Sequence, residues 1–155
     1  MKENLEFFAI KLTTAETLFA EVTVVGENDI VIRKPLIVKD IPIDGDSSLV
    51  AQAWLPYVED DSALSIPTDM IFLFEPLNEK FVRFYGSILM QIEVQKIKSE
   101  TVDVLDGSDA DRWMMKEAVD RINATSEYMS EKFGIDRVDV SKFEEKASKE
   151  NMLLH

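Results

Sequence analysis

In the first half of the chain, apolar residues fall in short runs broken by polar clusters. In the second half they recur every three to four positions. Short β-branched and aromatic runs bounded by Gly, Asn, Asp or Pro predict strands, and a 3.6-residue recurrence predicts helices. Leu5–Leu12 reads as a first strand and Thr13–Thr17 as a polar turn. Leu18–Val25 and Ile30–Val38 flank Gly26-Glu27-Asn28-Asp29, where Gly and Asn tolerate the positive φ of a tight turn, so the pair predicts a hairpin. Pro35 removes a ladder donor and predicts a bulge, bend or edge. Lys39–Ser48, with Asp40, Pro42, Asp44, Gly45 and Asp46, reads as a loop. Leu49–Val58 gives the fourth strand, Glu59–Ser62 an acidic turn, and Met70–Phe74 the fifth strand, which Pro76 stops.

Leu77, Phe81, Phe84, Tyr85, Ile88, Leu89 and Ile92 make a helical stripe over Leu77–Val94. Gly86 within it costs about 1 kcal/mol against Ala, so an extended piece beginning near Ile88 is the alternative. The polar stretch 96–108 reads as a linker. Ser108 or Asp109 caps a helix over about Ala110–Phe133, with Trp113, Met115, Ala118, Val119, Ile122, Met129 and Phe133 on its apolar side. Gly134 suits a left-handed helix terminus, and Ile135 supplies the accompanying apolar contact. Ser141 and Glu144 have capping-box spacing and open a last helix, about Lys142–Leu153. The expected organisation is a β-rich domain with its packing helix over 1–95, a linker over 96–108 and a helical extension over 109–155.

Composition narrows the function class. The 155 residues carry a net charge of −13, spread over both halves, and no Cys. A disulfide framework, a thiolate metal site and a Cys nucleophile are excluded. Non-specific nucleic-acid binding is disfavoured, because it rests on Lys and Arg neutralising phosphates. Met1–Leu12 lacks the pattern of a secretory signal, and no stretch approaches the roughly 20 apolar residues of a membrane span. The expectation is a soluble protein with no membrane partner. His155, the sole histidine, is the last residue, which leaves Ser–His and Cys–His nucleophile systems without a base. The five Gly residues form no phosphate-cradling loop. The chain therefore reads as a binding or assembly module with no cofactor, not an enzyme.

Five short strands followed by a helix suggest a small bent barrel. Leu12–Val38 resembles the first half of an Sm-like domain. Lys34-Pro35-Leu36-Ile37-Val38, Ala53-Trp54-Leu55-Pro56-Tyr57, Ile66-Pro67 and a helix containing Phe84-Tyr85 are similar to segments of the Sm-like proteins of marine cyanophages. The similarity covers roughly residues 8–90. It implies a five-stranded, bent antiparallel barrel of the Sm-like/SH3-like type, here followed by C-terminal helices, and a location in the cytoplasm (the host's, if phage-encoded). It also implies a homo-oligomeric ring in which the fourth strand of one copy pairs with the fifth of the next, which points to Trp54, Leu55, Met70, Phe72 and Phe74 as the interface. Sm-like rings hold RNA or other single-stranded nucleic acid at the turns after the second and fourth strands. Asn28 lies in the first such turn. The second reads Glu59-Asp60-Asp61-Ser62, where RNA binders usually place Arg or Lys with Gly.

Several constellations carry two readings. Arg33, Lys34 and Lys39 offer phosphate contacts, or are solvated strand-end charges without the interleaved aromatics that single-strand binders use. Asp40, Asp44 and Asp46 offer a hard-cation loop, but lack the twelve-residue ligand pattern and read as an Asp-rich turn. Glu59, Asp60 and Asp61 offer an acid–base pair or a solvated turn. Trp113, Met114, Met129 and Phe133 offer a face for a protein partner, or pack within the chain. Two functions follow: a ring that binds RNA or single-stranded DNA, and an oligomeric scaffold whose acidic helices within 109–153 dock a protein.

Overall fold

The computed structural model describes residues 6–59, 62–102 and 109–138. The expected helix 142–153, His155, Asp60 and Asp61 lie outside them. The chain divides into two compact units, Met1–Tyr85 and Gly86–His155.

The first unit holds an antiparallel six-stranded sheet: β1 (Phe7–Leu12), β2 (Thr17–Val25), β3 (Asp29–Ile43), β4 (Asp46–Ala53), β5 (Leu64–Pro67) and β6 (Ile71–Pro76). The order is β4-β3-β2-β1-β6, with β5 on β3. β3 is the organising strand: its residues 29–32 pair with β5 and its residues 36–43 with β4. A single 3-10 turn, Thr68–Met70, then carries the chain from β5 to β6, which pairs with β1.

Two expectations change here. The described residues form six strands in place of five, because the stretch before the 3-10 turn is itself a strand. The segment 39–48 is not a loop, since β3 runs through Ile43 and meets β4 in register down to Ile43↔Asp46. Asp44 and Gly45 both have positive φ, 52° and 85°. That is the two-residue hairpin geometry whose twist matches the flanking strands, and Asp-Gly is one of its preferred pairs. Beyond Val38, β3 has β4 as its one neighbour among the described residues, so Pro42 sits in a two-stranded ribbon where a missing donor is tolerated.

The expectation for Pro35 is met by a bulge. The β2–β3 register steps from Phe19↔Leu36 to Glu21↔Arg33, so Ala20 faces the extra residue of the Lys34-Pro35 step. A second irregularity leaves Thr23 unpaired, and its hydroxyl donates to the Val31 carbonyl at 3.2 Å.

Alternation sorts the side chains. Phe8, Ile10, Leu12, Leu18, Ala20, Val22, Ile30, Ile32 and Ile66 make one buried cluster, flanked by Ile37, Trp54, Leu64, Ile71 and Phe74. On the opposite face, Phe19 meets Phe81 and Phe84 edge-on at 5.8 and 6.3 Å, and Phe7 lies against Tyr85 at 5.8 Å. These partners come from the first turns of α1 (Glu79–Val102), which Asn78 caps by accepting the Phe81 N–H at 3.0 Å.

Tyr85 is fully buried and donates its hydroxyl to the Lys34 carbonyl at 2.8 Å. Burial, and then the charge of Glu21, push its phenol pKa well upward, against a Glu21 backbone hydrogen bond that lowers it. The folded unit thus holds this proton more tightly than the unfolded chain does. The resulting stability is complete below the ordinary tyrosine pKa of about 10 and is lost as pH rises beyond it. Above that point the unfolding free energy should carry a component falling by up to about 1.4 kcal/mol per pH unit, which Tyr85→Phe removes. Equal slopes for the two proteins in alkaline urea titrations would count against this.

The second unit holds the remainder of α1 and α2 (Asp109–Phe133). Part of the expected linker is corrected: residues 96–102 are helical, because buried Val94 and Ile97 continue the apolar stripe past the point where polar composition suggested a break. The two helices run antiparallel, with Gly86 against Phe133 at one end and Arg121 within 3.5 Å of Glu100 at the other. Gly134 takes φ 67° and donates its N–H to Ser130, and Ile135 is buried, as the terminal glycine predicts.

Candidate functional site

Three surface features of the first unit bear on function: the 26–29 turn, the basic residues of β3, and the free strand edges. The turn is short because Gly26 donates its N–H to the Asp29 carbonyl at 2.8 Å. It meets the start of the 3-10 turn, where the Thr68 N–H donates to the Asn28 carbonyl at 2.9 Å and the Thr68 hydroxyl to the Glu27 carbonyl at 3.4 Å. The Ser65 hydroxyl donates to the Asp29 carboxylate at 2.6 Å. Asn28 is exposed. The residues brought to it are thus Ser65 and Thr68, which the sequence reading missed. Strand pairing Asp29↔Pro67 places them there, and no local motif signals it.

Arg33, Lys34 and Lys39 are spread along β3 on both sides of its bulge. Arg33 lies directly opposite Glu21 across the β2–β3 pair. Lys34 occupies the bulge at φ 50°, and Lys39 lies beyond it, opposite Val50 of β4. A strand advances about 3.3 Å per residue, so roughly 20 Å of bent strand separates Arg33 from Lys39. Of the acidic turn, Glu59 is exposed. Asp40, Asp44 and Asp46 belong to the β3–β4 hairpin, and among the described residues no three His, Asp or Glu side chains converge in a way that would hold a metal ion.

β4, β5 and β6 each have a partner on one side alone, so each leaves a row of backbone donors and acceptors unpaired among the described residues. The β6 edge differs from the others. β6 carries Phe72, 72% exposed, next to Leu73 and Met70, at 43% and 39%. The cause is a bulge: Lys11 pairs with Leu73 and Leu12 with Ile71, which leaves Phe72 outside the ladder and turned away from the core. The Lys11 ammonium lies 5.9 Å from the Phe72 ring centroid, a cation–π contact worth about 0.5–1 kcal/mol at an exposed site. Leu73 is the residue here that the sequence reading passed over, since strict alternation would have buried either it or Phe72.

The expected interface set divides accordingly. Met70 and Phe72 are on the surface. Phe74 stacks on Phe8 at 4.3 Å, and Trp54 is half-buried with its indole N–H donating to Glu16 at 3.0 Å, so both serve the fold. Leu55 is half-buried. The expected partner helix divides too: Met129 and Phe133 are buried, Met114 is half-buried and Trp113 is 67% exposed. No helix among the described residues is long and apolar enough to cross a membrane. No protein-family model matches the chain, and no curated protein matches it.

Proposed function

We propose that this chain is a non-catalytic, Sm-like assembly subunit that joins copies of itself into a ring through its free strand edges and serves as a scaffold. The exposed edge of β6 carries the reading. An unpaired strand edge with Phe72, Leu73 and Met70 exposed along it is a template for another strand, and the flanking charges Asp69 and Glu75 do not cover it. The strand pairing supports the Sm-like part. β4 and β5 lie on successive halves of β3 and stand in for one interrupted fourth strand, while β6, on β1, takes the place of the fifth. The segment 64–76 then joins the outer side of β3 to the outer side of β1, as barrel closure requires. Sedimentation and native mass measurement of the full chain should give one closed oligomer at micromolar concentration. Phe72→Lys with Leu73→Lys should reduce it to single chains without loss of sheet signal. A wild-type protein that stays single under these conditions sinks the proposal.

A second reading, in which the ring binds single-stranded RNA or DNA, is favoured by the 26–29 turn. The hydrogen-bonding groups of Asn28, Ser65 and Thr68 meet there, beside the Asp29 carboxylate. Labelled oligonucleotides titrated at several salt concentrations separate the two readings. Binding at low salt that weakens with Asn28→Ala and with Lys34→Glu supports the second, and its absence leaves the scaffold.

A further inference from the structure

The two halves of β3 have different neighbours. Residues 29–32 lie between β2 and β5, and residues 36–43 carry β4, whose outer edge has no partner strand among the described residues. The Arg33–Leu36 bulge separates these halves. Its central residue, Lys34, adopts φ 50°, a left-handed conformation that costs a residue with a Cβ roughly 1–2 kcal/mol. Such strain persists where the surroundings over-determine it. Here the fastening is the Tyr85 hydroxyl, 2.8 Å from the Lys34 carbonyl, on a ring that is itself fully buried and set against Phe7. Pro35 restricts the neighbouring backbone, and its carbonyl accepts the Trp54 N–H at 3.1 Å, so the end of β4 is tied to the same bend.

The β6 edge lies on the far side of β1 and β2 from this bend, and the β4 edge lies beyond it. The angle at the bulge therefore fixes how one free edge is turned relative to the other. In a head-to-tail assembly the rotation between the two contact surfaces decides whether, and at how many copies, a ring closes. We infer that the Lys34–Tyr85 fastening sets the number of copies in the ring, an inference that rests on the assembly reading above. Tyr85 acts here as a positioning residue. It touches neither edge and acts through the bend.

Native mass measurement of the wild type, Tyr85→Phe and Lys34→Gly tests this. Tyr85→Phe keeps the ring and removes the hydroxyl, whereas Lys34→Gly keeps the acceptor carbonyl and frees the backbone. The wild type should show one copy number, and each variant should spread over neighbouring copy numbers or move to a different one. Faster amide exchange should be confined to residues 33–38 and 50–54. If Tyr85→Phe does not fold, Lys34→Gly, which relieves strain, decides alone. A wild type that is a single chain defeats the assembly reading and the hinge with it. An assembled wild type whose folded variants keep the same single copy number defeats the hinge alone.

Discussion

Gly86→Ala is expected to destabilise the helical unit by about 1–3 kcal/mol, the usual cost of overpacking a close contact. Helix propensity alone predicts the opposite, a gain of about 1 kcal/mol. The contact decides between them. A Cβ at Gly86 would lie inside 3.0 Å of the Phe133 Cβ, Cγ and Cδ2 atoms, too close for any real side chain. Phe133 has little room to yield. It is buried at the last turn of α2, and the chain after it is fastened by the Gly134 N–H to Ser130, by the Ser130 hydroxyl to Ile135 at 2.6 Å, and by the Val138 N–H to the Ser126 hydroxyl at 2.7 Å. Each kcal/mol should lower the midpoint of thermal loss of helical signal by about 4–8 °C for a unit of this size. Phe133→Ala should cost about 3–5 kcal/mol by itself. Adding Gly86→Ala to it should cost much less than in the wild type, because the clash is gone. A raised midpoint for Gly86→Ala would show that propensity governs the site.

The same glycine marks the limit of what the sequence discloses. The 3.6-residue stripe through Leu77–Val94 is visible without a structure, and so is the cost of a glycine within it. The reason for the glycine is not, because its partner is a ring on another helix. Local signals point to the right places at the Gly26–Asp29 turn, the bulge at Pro35 and Gly134 closing α2, although neither Gly26 nor Asn28 takes the positive φ that suggests the first of these. They mislead where composition outweighs pattern. Three aspartates and Pro42 suggested a loop over 39–48, although Ile41 and Ile43 alternate and Asp44-Gly45 has hairpin chemistry. The polarity of 96–102 suggested a linker, although Val94 and Ile97 keep the helical spacing. In the candidate site the obstacle was parity. Met70, Phe72, Phe74 and Trp54 look alike as apolar residues near strand edges, and it is the bulge in β6 that turns Phe72 outward while Phe74 stacks on Phe8. Bulges are set by pairing with a distant strand, so a single sequence carries no direct mark of them.

Ile32→Ala is expected to cost the first unit about 2–5 kcal/mol, near the full range for a buried large-to-small change. Ile32 has no exposed surface and lies where β3 is paired on both sides, opposite Val22 of β2 and Leu64 of β5. Truncation leaves a void where the β1–β2–β3 meander meets the strand that leads into β6, so both neighbours lose packing at once. Collapse around the void is resisted from two directions. Val24→Ala is the matched control. It lies on the adjacent strand but is 55% exposed, and it should change stability by no more than about 0.5 kcal/mol. Trp54 reports on this unit alone, since its half-buried indole donates to Glu16 of the same sheet region, whereas Trp113 is exposed in the other unit and should change little on unfolding. With a urea slope of about 1–3 kcal/mol/M, the Trp54 midpoint should fall by roughly 1–3 M for Ile32→Ala, at unchanged slope. Two variants with the same midpoint would mean that β3 is not the strand on which the unit is built. A reduced slope for Ile32→Ala alone would place the loss in a partly opened native state, with β5 and β6 released first.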